Sequence, residues 1–587
     1  MRDPKSPRAI AALAIALPAA AAWAIALPGP AVAAEEWETI LEQALQSERS
    51  QTRHEGLKQV DTTKAKGLKA IWNVLASPQP YLVDWYVREG AYEALLGAEG
   101  PEAEKEIERV LASSGNPLAK EAIVYAVVWK IRSEVVKAYG GRDDRKIEEA
   151  KYLLRKKRGV EYFEYVLPVI RKIDPEKKYL KRIQGALKDR HPRVQRAALT
   201  ALVAYPDASN IPLLLENLKR LEKQKAAAYR EWVLTRYALE TLTGQYYREN
   251  VSDWLRWWDV AKGGFSIDKR VEEEGEKGEA GAGKTVVVRR EGVEVILNMK
   301  VAGPPGGYPL LVLPWHGYEV DYFRPYFHGV EEFLRVYYVR MPQIDDYKGL
   351  ARHTESNLVV YPTALLAKAL IDLMKESGLE KFGVLGHGPD ACVLCMMLAA
   401  EHPDKVTHMV LINPRSSGDA YSGAIENVRR EGARLGLQEV VKGADSITLM
   451  PDGNLKYKPA DPGEAGGLGR ALYNLAFADP SEPEAGALRY LYDLPGGTHT
   501  LNDRSWSAKA IVGAGKLTLP VLIFAGERCP FTPVGDMNQV AALFRNCEVV
   551  RLKDASQTPF ISHPYLFTKQ LEKLFKGAKV RAKAPQS

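Results

Sequence analysis

The groups best spaced for chemistry lie in the second half of the chain. Gly386-His387-Gly388-Pro389-Asp390-Ala391 joins an apolar, strand-like run to a helical one, where a sharp turn would present a side chain to substrate. Cys392 and Cys395 follow at C-x-x-C spacing. They sit inside an apolar helical pattern and read as core thiols rather than a redox pair. Residues Gly278-Glu279-Ala280-Gly281-Ala282-Gly283-Lys284-Thr285 formally match the phosphate-cradling loop. That loop needs a buried strand before it and a helix after it, so that backbone amides face phosphate. Here an acidic stretch precedes and the strand-like Val286-Val287-Val288 follows, which argues against nucleotide binding. The ten histidines show no metal-ligand spacing, so neither a metal nor a cofactor is expected.

These groups need elements to position them, and the chain of 587 residues is long enough for several domains. Hydrophobic residues at 46% and charged residues at 26% exclude a mostly disordered chain, a collagen-like repeat and a polytopic membrane protein. The net charge of +7 is too weak a bias for a nucleic-acid partner. Four cysteines are too few for a disulfide scaffold. Residues 1–34 combine Arg2, Lys5 and Arg8, an uncharged run from Ala9 to Leu27, and Ala31-Val32-Ala33, which fits the small-residue rule for cleavage. They read as a signal peptide that sends the chain to the periplasm or outside the cell. The alternative is an uncleaved membrane anchor, because the apolar run is long; Pro18 weakens it as a spanning helix.

Residues 35–262 read as helices only. Val194, Ala197, Ala198, Ala201 and Leu202 fall on one helix face, and Ile211, Leu214, Leu215 and Leu218 form a second stripe. Openings at Pro80, Pro117 and Pro192, with a diverged unit expected near Arg158 to Ile170, resemble HEAT-type helical repeats of about 40 residues. Such a solenoid implies a protein partner on its concave surface; the plainer reading is a structural spacer. Trp254, Trp257 and Trp258 would close its end. Residues 263–284, rich in Gly, Glu and Lys, read as a flexible linker. Strands then alternate with helical segments over 285–578, implying a mostly parallel sheet covered on both faces, and 579–587 read as a disordered tail.

This last region resembles the α/β-hydrolase family. The resemblance rests on the His316-Gly317 turn, the Gly386–Ala391 elbow, Glu401-His402-Pro403-Asp404-Lys405-Val406 before a strand, and the segments Pro520–Pro533 and Ala555–Phe567 in order. Residues 415–515 stand where the family carries its lid. The resemblance implies a nucleophile at 388, an acid at 529 and a histidine base at 557. The chain holds Gly388, Cys529 and Gln557 there. Glycine has no side chain, and glutamine cannot act as a base near neutral pH. Since losing one triad member already costs about 10⁴ in rate, three losses imply a pseudo-hydrolase that binds proteins or a small ligand without cleaving it. His316, Gly317, His387 and Pro389 would line its pocket. The competing reading is an esterase-like enzyme with relocated catalytic groups, for which His563, Glu527, Cys529, His499 and Ser505 are the candidates.

Overall fold

Local caps start the main helices. Asp84 accepts from the backbone amides of Tyr86 and Val87 at 2.8 and 3.0 Å, opening the helix Trp85–Leu95. Asn116 does the same for Pro117–Gly140, and Pro117 and Pro192 occupy first-turn positions where no amide donor is needed. The computed structural model describes residues 36–79, 84–113, 115–156, 159–247, 250–276, 284–290, 292–315, 322–342, 346–349, 363–417, 421–445, 447–449, 455–457, 507–513 and 517–578. Residues 1–34, expected to be a signal peptide, Pro80, most of the 415–515 insertion and the 579–587 tail lie outside them. Among the described residues no helix is long and apolar enough to cross a membrane.

From Glu36 to Glu276 the described regular elements are all helical. Ser50–Lys58, Trp85–Leu95, Pro117–Gly140, Pro192–Ala204 and Tyr229–Thr243 form a row, each packed on the next. A helix, Val160–Ile173, stands where the diverged unit was expected. The face containing Val194, Ala197, Ala198, Ala201 and Leu202 is fully buried, as its spacing requires. Trp254 is buried, while Trp257 and Trp258 pack edge-on against Phe265.

A ladder of arginine–carboxylate pairs runs through the row and was not legible in the hydrophobic pattern. Arg53 lies 3.9 Å from Asp84. Arg88 and Arg193 both pair with Glu121, and Arg196 bonds Glu231 at 2.8 Å. The last rung leaves the array: Arg236 pairs with Glu332, just before the strand Leu334–Val339 of the sheet region. Arg53, Arg88 and Arg236 are almost wholly buried. Buried charges need such partners, because water no longer solvates them.

The expected linker is shorter than its composition suggested. Ile267–Glu276 is a helix, with Ile267 buried and Val271 packed on the array. Only 277–283 of the Gly-rich stretch lies outside the described residues. A helix precedes that stretch and a strand follows it, the reverse of a phosphate-binding loop.

The sheet contains β1 (Lys284–Arg290), β2 (Val293–Ala302), β3 (Tyr308–Leu313), β4 (Leu334–Val339), β5 (Phe382–His387), β6 (Val406–Ile412), β7 (Val521–Gly526) and β8 (Cys547–Leu552). Their order is β1-β2-β4-β3-β5-β6-β7-β8. The pairs from β4 through β8 are parallel, while β1 and β2 make an antiparallel edge. It is a mixed sheet with helices packed against it. Alternate residues of β3 serve different cores: Leu311 and Leu313 pack with the helices Thr363–Glu376 and Gly388–Glu401. Leu310 and Val312 join a core continuous with that of the helical array. The two regions are therefore fused by packing, where the sequence suggested units held by a flexible tether. Tyr229 packs so closely on Gly329 that a Cβ there would lie 1.8 Å from the tyrosine oxygen.

Candidate functional site

The site is built at the ends of β5, β7 and β8, where a parallel sheet leaves a crevice. β5 runs through His387 directly into the helix Gly388–Glu401, so the helix starts three residues earlier than its apolar pattern indicated. Gly388 has φ +80, a conformation that only glycine adopts without steric cost. A Cβ at this position would meet Cγ and Cδ1 of Trp315 at 2.7 and 2.8 Å. The space a nucleophile would occupy is filled by an indole. Trp315, at the end of β3, is held in turn by Phe531, whose ring centre lies 5.3 Å away. Pro389 is buried in the helix's first turn, where its missing amide costs nothing.

His387 is fully buried, and both ring nitrogens are engaged. Nε2 lies 2.8 Å from the backbone carbonyl of Gln557, which only accepts, so Nε2 carries the proton. Burial lowers its pKa to about 3, against the opposing Gln557 carbonyl, and the ring stays neutral at ordinary pH. Nδ1 is then an acceptor, and it receives the hydroxyl of Tyr322. Tyr322 accepts the amide of Trp315 at 3.4 Å. This chain of donors fixes the imidazole and leaves it no free lone pair for base catalysis.

The positions expected for acid and base do meet. The Cys529 thiol donates to Gln557 Oε1 at 2.8 Å, and both residues are buried. Burial pushes the thiol up to about 12, so it is protonated and not nucleophilic. Gln557 Nε2 has no acceptor among the described residues. Asn413 stitches the crevice together: Nδ2 donates to the carbonyls of Ser556 and Gln557 at 3.2 and 3.1 Å, and Oδ1 accepts the Gly526 amide at 2.9 Å. It does so with φ +51. Sequence reading missed Trp315, Tyr322, Asn413 and Phe531 as site residues. The Asn413-Pro414 break after β6 was the one available signal.

The remaining candidates fall elsewhere. His316, Gly317, His499 and Ser505 lie outside the described residues. His563 bonds its neighbour Ser562 at 2.9 Å, and Glu527 is exposed. Cys392 donates to the Gly386 carbonyl at 3.3 Å and is buried, as is Cys395; both thiols are raised by burial. Burial raises Asp390 to about 6, opposed by Arg415. Among the described residues no cluster of His, Cys, Asp or Glu could hold a metal.

No known family's sequence model matches the chain. Solved structures similar to part of it include an alpha/beta fold family hydrolase from Bacillus anthracis. That match has 15% identity and a TM-score of 0.36, covering 50% of this chain and 99% of that one. A thermophilic esterase from Thermogutta terrifontis shares 16% identity at a TM-score of 0.34, over 51% of this chain and 100% of its own. A membrane phospholipase A described as a bacterial virulence factor shares 15% at 0.33, over 56% and 97%.

Proposed function

We propose that the chain is an exported, non-catalytic pseudo-hydrolase, in which a HEAT-like helical region and a degenerate hydrolase-like site serve protein or ligand binding. The observation that carries this reading is the Trp315 indole seated where a side chain at 388 would project. The thiol–amide pair of Cys529 and Gln557 supports it, because neither group exchanges a proton near neutral pH. The locked His387 supports it as well. Among the described residues, a ligand that enters would find the unfilled donor Gln557 Nε2, suited to a carbonyl or other oxygen acceptor.

The test is hydrolysis of a small activated ester by the purified full chain and by His387→Ala. The reading expects both to match the uncatalysed rate. Turnover by the wild type that disappears in His387→Ala would establish the esterase-like alternative. Because the array shares its core with the sheet, partner capture belongs on the full chain, with array-surface variants as controls.

A further inference from the structure

Both ends of the arginine ladder are closed by the hydrolase-like region. At one end Arg236 pairs with Glu332, while His328 Nδ1 lies 3.1 Å from Glu240 and Tyr246 donates to the Glu331 carbonyl at 3.1 Å. At the other end stands a helical hairpin from the insertion, Tyr421–Leu435 and Gln438–Asp445. Its Glu439 accepts the Ser50 amide at 3.3 Å and lies within electrostatic reach of Arg53 and Asp84, the first rung. Lys442 pairs with Glu48 beside it. The hairpin has its own small core of Val428, Leu435, Leu437, Val440 and Ala444.

That same hairpin rests on the site. Phe531 packs against its core, and Asn427 Nδ2 reaches the Cys529 carbonyl at 3.5 Å. Phe531 packs with a tilted ring against Trp315, which covers Gly388. A continuous set of contacts thus runs from the first array helices to the elbow. Contiguity alone does not establish coupling; a discrete element whose position both ends bias does.

We propose that the Tyr421–Asp445 hairpin is a strap through which the N-terminal end of the helical array controls access to the Trp315-covered elbow and the Cys529–Gln557 pair. The geometry is independent of whether the site is catalytic. Docked on Ser50 and Glu48, the strap presses Phe531 and Trp315 into place; released, it uncovers Cys529.

The test uses the full chain carrying Cys547→Ser, since Cys547 is the partly exposed thiol and Cys392, Cys395 and Cys529 are buried. Iodoacetamide labelling of Cys529 is followed by mass spectrometry, with amide exchange of Tyr421–Asp445 measured in parallel. Lys442→Glu and Glu439→Ala should each raise exchange in the strap and speed Cys529 labelling about five-fold, the effect of losing a contact worth about 1 kcal/mol. Adding Glu48→Lys to Lys442→Glu should restore the slow rate. Faster strap exchange with Cys529 labelling within two-fold of the parent would overturn the proposal. So would unchanged strap exchange, or labelling of Cys392 and Cys395 in step with Cys529.

Discussion

Gly388→Ser puts a hydroxyl where the sequence resemblance expects a nucleophile, and it should fail twice over. The backbone at 388 has φ +80, which costs a residue with a Cβ about 1–2 kcal/mol. The new Cβ would lie 2.7 Å from Trp315 Cγ, and Phe531 limits the ring's retreat. Overpacking of this kind costs about 1–3 kcal/mol. The sum is about 2–5 kcal/mol, read as a lowered urea midpoint for the sheet region's unfolding. A double-mutant cycle separates the two parts. In a Trp315→Ala background the steric part should vanish, leaving Gly388→Ser with only the backbone cost, a coupling of about 1–3 kcal/mol. Neither variant should hydrolyse an activated ester, because Cys529 and Gln557 offer no acid–base pair. A Gly388→Ser cost below about 0.5 kcal/mol in the parent would refute the seating of Trp315. Ester turnover by Gly388→Ser would refute the claim that the rest of the triad is dead.

Three further outcomes follow from named contacts. Cys529→Ala strands the buried Gln557 amide oxygen and should cost about 1–3 kcal/mol, while Cys529→Ser keeps a donor and should cost less, by urea unfolding. Arg88→Met leaves Glu121 with Arg193 as its remaining arginine in a buried rung and should destabilise the array by about 1–3 kcal/mol, seen as earlier loss of helical circular dichroism. Burial pushes Glu331 up, but His328, Arg324 and Tyr338 outweigh it and hold the carboxyl at about 2. A depressed carboxyl contributes stability that is present above its unfolded pKa, near 4.5, and lost as pH falls toward 2. Glu331→Gln should remove about 3 kcal/mol of that acid dependence, so the variant's stability should change less than the wild type's between pH 5 and pH 2.

The strand and helix pattern of the sheet region was readable because alternating and 3–4 periodicities are local properties of the chain. β3, β5, β7 and β8 each fall, within a residue or two, on an apolar run of the sequence: Leu310–Leu313, Phe382–Leu385, Pro520–Ala525 and Cys547–Leu552. Helix Ile267–Glu276 was not readable: Gly275 and a run of glutamates mask an apolar stripe of only Ile267 and Val271, and the array supplies the surface that makes it fold. The ladder escaped for a similar reason. Arg88 and Glu121 stand 33 residues apart, and Arg196 and Glu231 stand 35 apart, so only the stacking of helices reveals them as partners.

What the sequence determined alone is the chemistry that is missing. A glycine at 388 has no nucleophile and a glutamine at 557 has no titratable group, whatever surrounds them. What tertiary structure decided is what occupies the vacated positions: the indole over Gly388, the thiol on Gln557, the carbonyl and hydroxyl that lock His387. It also joined the array to the sheet through one core. Residue identity limits which reactions a side chain can perform. Which groups touch is set by packing between segments hundreds of residues apart, and that information lies in no single stretch of the chain.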